Sequence, residues 1–200
     1  PAQQGSAMRN YLLLKFACRV MGRLPVSIGY PFAAVVAEIA FVFSRRSKRA
    51  VIDNLRRALE VDDKRALNRV ARGVFRSLAW NYFDLLRIPR LSRAKLEPGF
   101  TIHGWRHFEE AVASGRGIIL ATAHLGSFDL AAQLWAVRGY RMTVLVEPLA
   151  HHPQFRLMTQ IRESRGLSFI PVGPGSLKRV VRELRSGGVV VLACDRDLGG

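Results

Sequence analysis

Acidic side chains are scarce in this 200-residue chain: 15 Asp and Glu stand against 31 Lys and Arg, for a formal charge of +16. So basic a balance favours polyanionic partners, whether phosphorylated substrates, an anionic membrane leaflet or nucleic acid. Cysteine is almost absent. Cys18 and Cys194 lie far apart and neither stands in a metal-ligand spacing, so no disulfide or metal site is implied and a reducing compartment fits. Cys194 ends an apolar run, where a small core residue is expected rather than a nucleophile. Also missing is a long apolar run free of interruption. The longest candidate, residues 26–43, contains Gly29, Pro31 and Glu38, whereas a bilayer span wants about 20 apolar residues without charge. An interfacial or hairpin-like anchor is the expectation, and a buried core helix would read the same way. A cleavable signal peptide fits poorly, because the basic segment Arg45-Arg46-Ser47-Lys48-Arg49 follows and no small-residue cleavage site precedes it. The recognition helix, aromatic stacking sheet or zinc spacing that nucleic acid would need is absent too, so no nucleic-acid partner is expected. Basic residues placed around apolar segments suit an anionic lipid surface instead.

What is present is enough for one substantial core. An apolar content of 49% over 200 residues predicts one domain. The chain starts at Pro1 without a Met, and its last residues follow a strand-like run where a ligand loop should begin; this reads as a fragment lacking a C-terminal portion of the domain. Residues 48–59 carry a helical pattern in Val51, Ile52, Leu55 and Leu59. Asp62-Asp63 then supplies a negative start for a second helix with apolar positions Leu67, Val70, Val74, Leu78, Tyr82 and Leu85, closed by Pro89. Beyond Glu97-Pro98-Gly99 the rhythm changes. Strands are expected over 100–103, 117–123, 142–147, 167–171 and 189–194, with helices over 105–113, 127–137, 153–165 and 176–185 between them. Gly115, Gly139, Gly166 and Gly187 each fall just after a helix, where a left-handed cap is wanted. The alternation predicts an α/β fold: a mostly parallel central sheet with helices on both faces, preceded by a helical, membrane-associating segment over residues 1–44, with residues 45–200 as the α/β domain.

The stretch that organises the chain is Gly117-Ile118-Ile119-Leu120-Ala121-Thr122-Ala123-His124-Leu125-Gly126-Ser127-Phe128-Asp129. An uncharged small-and-apolar run reads as a buried parallel strand, and Gly126 lets the backbone turn into a helix. His124 is then presented at the C-terminal end of a strand, where α/β sheets bind ligands. The spacing can bring Asp129 to His124, and a carboxylate on one ring nitrogen fixes the tautomer and raises the basicity of the other, as a general base for an alcohol needs. A satisfied structural pair would show the same spacing. The segment lacks the Gly-x-Ser-x-Gly of a serine nucleophile at Ser127. Glu147 and Asp195 would leave the same sheet edge, and Arg162 and Arg196 suit bidentate phosphate contacts. Gly173-Pro174-Gly175-Ser176 lacks the Lys of a phosphate loop and reads as a turn. His151-His152, His103 and His107 have no metal-ligand spacing.

His124-Leu125-Gly126-Ser127-Phe128-Asp129, Val146-Glu147-Pro148, Ile161-Arg162-Glu163 and Asp195-Arg196-Asp197, in this order and rough spacing, resemble the bacterial lipid A biosynthesis (lauroyl/myristoyl) acyltransferases and their phosphatidylinositol mannoside acyltransferase relatives. The likeness runs from about Ser44 to the end. It implies an αβα sandwich like that of glycerolipid acyltransferases, and transfer of a fatty acyl chain from acyl-CoA or acyl carrier protein to a glycolipid hydroxyl at the cytoplasmic face of the plasma membrane. It further implies no cofactor, His124 and Asp129 as catalytic residues, and Glu147, Arg162, Asp195 and Arg196 in the acceptor or phosphate site. The motifs do not separate a phosphatidylinositol mannoside from a lipid A precursor as acceptor. The residues by themselves also leave open a thioesterase-type hydrolase and a non-catalytic basic surface-binding protein.

Overall fold

The computed structural model describes residue 12, residues 15–147 and residues 153–195. After a helical stretch over 15–21, three helices form an N-terminal layer: α1 (Val26–Phe43), α2 (Arg45–Leu59) and α3 (Lys64–Arg87). A short α4 (Arg93–Leu96) lies between two 3-10 turns, and α5 (Trp105–Ala113) leads into the sheet. Four strands follow, β1 (Ile118–Thr122), β2 (Met142–Val146), β3 (Leu167–Pro171) and β4 (Val189–Ala193), linked by α6 (Phe128–Val137), α7 (Pro153–Glu163) and α8 (Ser176–Arg185). All pairings are parallel and the order is β1-β4-β2-β3.

That order fixes the layers. The chain steps one way across the sheet from β1 to β2 to β3 and returns from β3 to β4, so right-handed crossovers put α6 and α7 on one face and α8 on the other. Alternation along β4 agrees. Val189 and Val191 join the cluster that includes Ala132 and Trp135 of α6, while Val190, fully buried, points to the opposite face. A second apolar cluster, built on Leu85, Leu86, Ile88, Leu134 and Ile161, seals the C-terminal end of α3 against α6 and α7. The expected α/β architecture with a parallel sheet flanked by helices, behind an N-terminal apolar helix, is therefore what the chain adopts. Each of Gly115, Gly139, Gly166 and Gly187 has positive φ.

One expected strand does not form. Residues 100–103 join no sheet. Phe100 is extended, with φ −125° and ψ 133°, but Phe100 and Ile102 pack into the helical cluster around Leu85 and Leu134, which draws this segment away from any strand partner. The inward face of α3 also differs from the stripe read from the sequence: Leu67 and Leu85 are buried together with Ala71, Phe83, Asp84 and Leu86, whereas Val70, Val74, Leu78 and Tyr82 are exposed. Asp63 caps α3 by accepting from Arg65 N at 2.8 Å.

α1 packs along α3 through an i, i+4 stripe of Gly29, Ala33, Ala37 and Phe41. The approach is close enough that a Cβ on Gly29 would overlap the Phe83 ring. Glu38, the charge inside the apolar run, faces Arg76 at 3.2 Å and Arg72 at 3.9 Å. The other face of α1, with Ile28, Phe32, Val35, Ile39, Val42 and Phe43, is exposed. By length and composition α1 is the one helix among the described residues that could cross a membrane.

Candidate active site

His124 lies two residues past the end of β1, Glu147 one past β2 and Asp195 two past β4. Because β1, β4 and β2 are neighbours and parallel, all three leave the same C-terminal edge of the sheet. Cys194 N donates to Thr122 O at 2.9 Å, so the β1–β4 ladder continues one step and sets the segment carrying Asp195 beside the one carrying His124.

Asp195 takes His124 at two points. One carboxylate oxygen accepts from the backbone N–H of His124 at 2.9 Å, and the other lies 3.0 Å from its Nδ1. With Nδ1 as the donor, the proton sits between imidazole and carboxylate and Nε2 keeps its lone pair. The backbone N–H of His124, then its ring, hold the Asp195 carboxyl below the usual carboxylate range despite partial desolvation. Phe128 sets its ring edge-on to the imidazole at 5.0 Å, and Leu125 beside it is exposed.

The spacing points to Asp129 as the carboxylate partner of His124, and the family resemblance implies Asp195 in the substrate site; the structure pairs these groups differently. Asp129, on the first turn of α6, is engaged by Arg162 at the end of α7: Nε donates to Oδ1 at 2.7 Å and Nη2 to Oδ2 at 3.0 Å. This is a fork-on-carboxylate pair, mostly buried. Gln133, one turn further along α6, donates to the Arg162 carbonyl at 3.1 Å. Asp129 thus fixes the direction of a guanidinium whose remaining N–H groups can receive an anion, while Asp195 serves the imidazole.

Glu147 is exposed at the end of β2. Arg196, Pro148 and His151-His152 lie outside the described residues. Among the described residues no group of three or more His, Cys, Asp or Glu is placed to hold a metal ion. Ser127 donates to Asp84 at 2.8 Å, and Ser176 bonds both the N–H and the carbonyl of Gly173, closing that turn on itself. Two residues given no role from the sequence support the turn after His124. Asn81 donates to Gly126 O at 2.8 Å, and Asp84 accepts from Ser127. The signal for Asp84 was a lone charge inside Phe83-Asp84-Leu85-Leu86 on a helix otherwise apolar at that point.

A parallel α/β sheet with a histidine and carboxylates gathered at its C-terminal edge, behind a layer of apolar and basic helices, describes a class of chain that also has a sequence family. The chain belongs to the bacterial lipid A biosynthesis acyltransferase family, whose model matches residues 5–200. Among curated relatives it is similar to phosphatidylinositol mannoside acyltransferases. In two strains of Mycobacterium tuberculosis the identity is 29% over 120 residues, covering 58% of this chain and 38% of that protein. In Mycolicibacterium smegmatis it is 27% over 126 residues, covering 61% of this chain and 41% of that protein. The match thus spans about two fifths of these relatives' length.

Proposed function

We propose that this chain carries the catalytic domain of an acyltransferase that moves a fatty acyl group from acyl-CoA or acyl carrier protein to a hydroxyl of a glycolipid, a phosphatidylinositol mannoside or a lipid A precursor. His124 is the general base. Its Nε2 takes the proton of the acceptor hydroxyl as that oxygen forms the ester bond to the thioester carbonyl carbon; the carbon–sulfur bond breaks, and the imidazolium returns the proton to the leaving thiolate. Asp195 sets the tautomer and balances the imidazolium, as the carboxylate of a triad does. Asp129 acts through Arg162, which with Glu147 and Arg196 is assigned to the phosphate-bearing substrate. No cofactor is required beyond the acyl donor. Residues 1–44 form the membrane-associating segment and residues 45–200 the acyltransferase domain, at the cytoplasmic face of the membrane.

The observation that carries this reading is the imidazole of His124, held at Nδ1 by Asp195 on the edge of the sheet where parallel strands bind ligands. Family membership and the names of the relatives support the choice of reaction. The test is acyl transfer by the complete gene product from labelled palmitoyl-CoA, or the acyl carrier protein thioester, into a panel of mannosylated phosphatidylinositols and lipid A precursors. Label in the acceptor is the expected result and names it. Free fatty acid released without an acceptor would make the chain a hydrolase, and no reaction with either donor would leave a basic surface-binding protein.

A further inference from the structure

Asp84 is a carboxylate in the core, 3% exposed, on a stretch of α3 whose neighbours Phe83, Leu85 and Leu86 are all buried. A buried charge costs several kcal/mol unless it is fully paired, and the partners of this one come from α1, from the cap of α6 and from α3 itself. Tyr30 of α1 donates its hydroxyl to Oδ1 at 2.8 Å, Ser127 donates to Oδ2 at 2.8 Å, and Arg87 stands 3.6 Å from Oδ1. Burial and this carboxylate push the Tyr30 hydroxyl up to about 12, so it stays a donor. Ser127 is the N-cap residue of α6, yet its side chain makes no capping bond. The hydroxyl that would ordinarily serve the first amides of α6 goes to α3 instead. One turn earlier on α3, Asn81 holds the carbonyl of Gly126 at 2.8 Å, and Gly126 has φ +56°. Two successive residues of the turn that leaves His124 are therefore fastened, by main chain and by side chain, to one turn of α3.

We infer that Asp84 is a positioning residue for His124: with Asn81 it pins the turn over residues 124–128, so that the ring held by Asp195 on one side cannot swing with its own backbone on the other. The inference rests on the reading of His124 as the base. Asp84 touches no reacting atom, and its effect passes through Ser127. A misplacement of about 1 Å costs up to about 100-fold in rate, which is the scale at stake in holding this turn.

The test uses the complete gene product with Ser127→Ala, Ser127→Thr, Asp84→Ala and the Asp84→Ala/Ser127→Ala double variant, read by steady-state acyl transfer and by amide hydrogen exchange of residues 123–128 against β2 and β4. Ser127→Ala is expected to lower kcat about 10- to 100-fold with the KM for the acyl thioester within about twofold. Ser127→Thr, which keeps the hydroxyl, should recover most of that loss. The double variant should be no slower than Asp84→Ala alone, since both remove one bond. Exchange should accelerate in the turn and stay unchanged in the strands. The inference is overturned if Ser127→Thr is as impaired as Ser127→Ala, if the two losses multiply, or if the exchange of the turn does not change. Should Asp84→Ala fail to fold, the Ser127→Ala and Ser127→Thr pair decides alone. If the wild type transfers no acyl group, the reading of His124 falls by itself, and the exchange comparison still decides whether Asp84 pins the turn.

Discussion

Asp195 and Asp129 are two carboxylates near one sheet edge with different partners, and the difference predicts different kinetics. Asp195→Asn should lower kcat by about 100-fold or more, the range in which general-base catalysis operates. Asp129→Asn should instead raise the KM for the phosphate-bearing substrate, since it releases the Arg162 guanidinium. Steady-state kinetics of both variants across pH check this, and equal effects on kcat would contradict it. The Asp195 carboxyl is held below its ordinary range, so the stability its ionised form contributes is present above the unfolded-state value and is lost as the pH falls through the lowered one. The gathering of His124, Glu147 and Asp195 at one edge was legible in the sequence, because strand ends and parallel order follow from pattern. Which carboxylate meets the imidazole was not. Asp129 lies five residues from His124, and the contact made instead comes from Asp195 through the β1–β4 ladder, a pairing that local spacing does not contain.

At the scale of the helices, two glycines separate packing from propensity. Gly73, inside α3, has nothing within 4 Å of where a Cβ would stand, so Gly73→Ala should stabilise by about 0.5–1 kcal/mol. Gly29, inside α1, has the Phe83 ring where a Cβ would stand, and Gly29→Ala should destabilise by about 1–3 kcal/mol through overpacking. Denaturant midpoints of the two variants should move in opposite directions; a shared direction would place α1 away from α3. The strands β1 to β4 and the helices between them could be read from period and from the glycine caps. Residues 100–103 could not, because alternation of Phe100 and Ile102 states that one side is buried without stating whether a strand or a helical cluster covers it. For the same reason the stripe through Val70, Val74, Leu78 and Tyr82 reads as a core face, while neighbours α1 and α6 select a different one.

The whole molecule sets a formal charge of +16 beside a helix with one apolar face packed on α3 and the other open. Anionic vesicles should therefore bind it more tightly than neutral ones, less so as salt rises. Val35→Asp with Ile39→Asp, on the open face where the side chains are 58% and 54% exposed, should weaken vesicle sedimentation at least about tenfold and leave the melting temperature unchanged. Unaltered sedimentation would remove this face from the membrane contact. Length and composition point to an interfacial anchor or a buried core helix; that one face of α1 packs on α3 while the other stays open required the fold. The central claim concerns chemistry, and the measurement that meets it most directly is acyl transfer from palmitoyl-CoA, with the acyl carrier protein thioester as second donor, by the complete gene product beside His124→Ala, with folding of the variant checked by its melting temperature. Transfer by the wild type and its loss, by about 100-fold or more, in a folded His124→Ala is the predicted result. Undiminished transfer by His124→Ala would contradict the account.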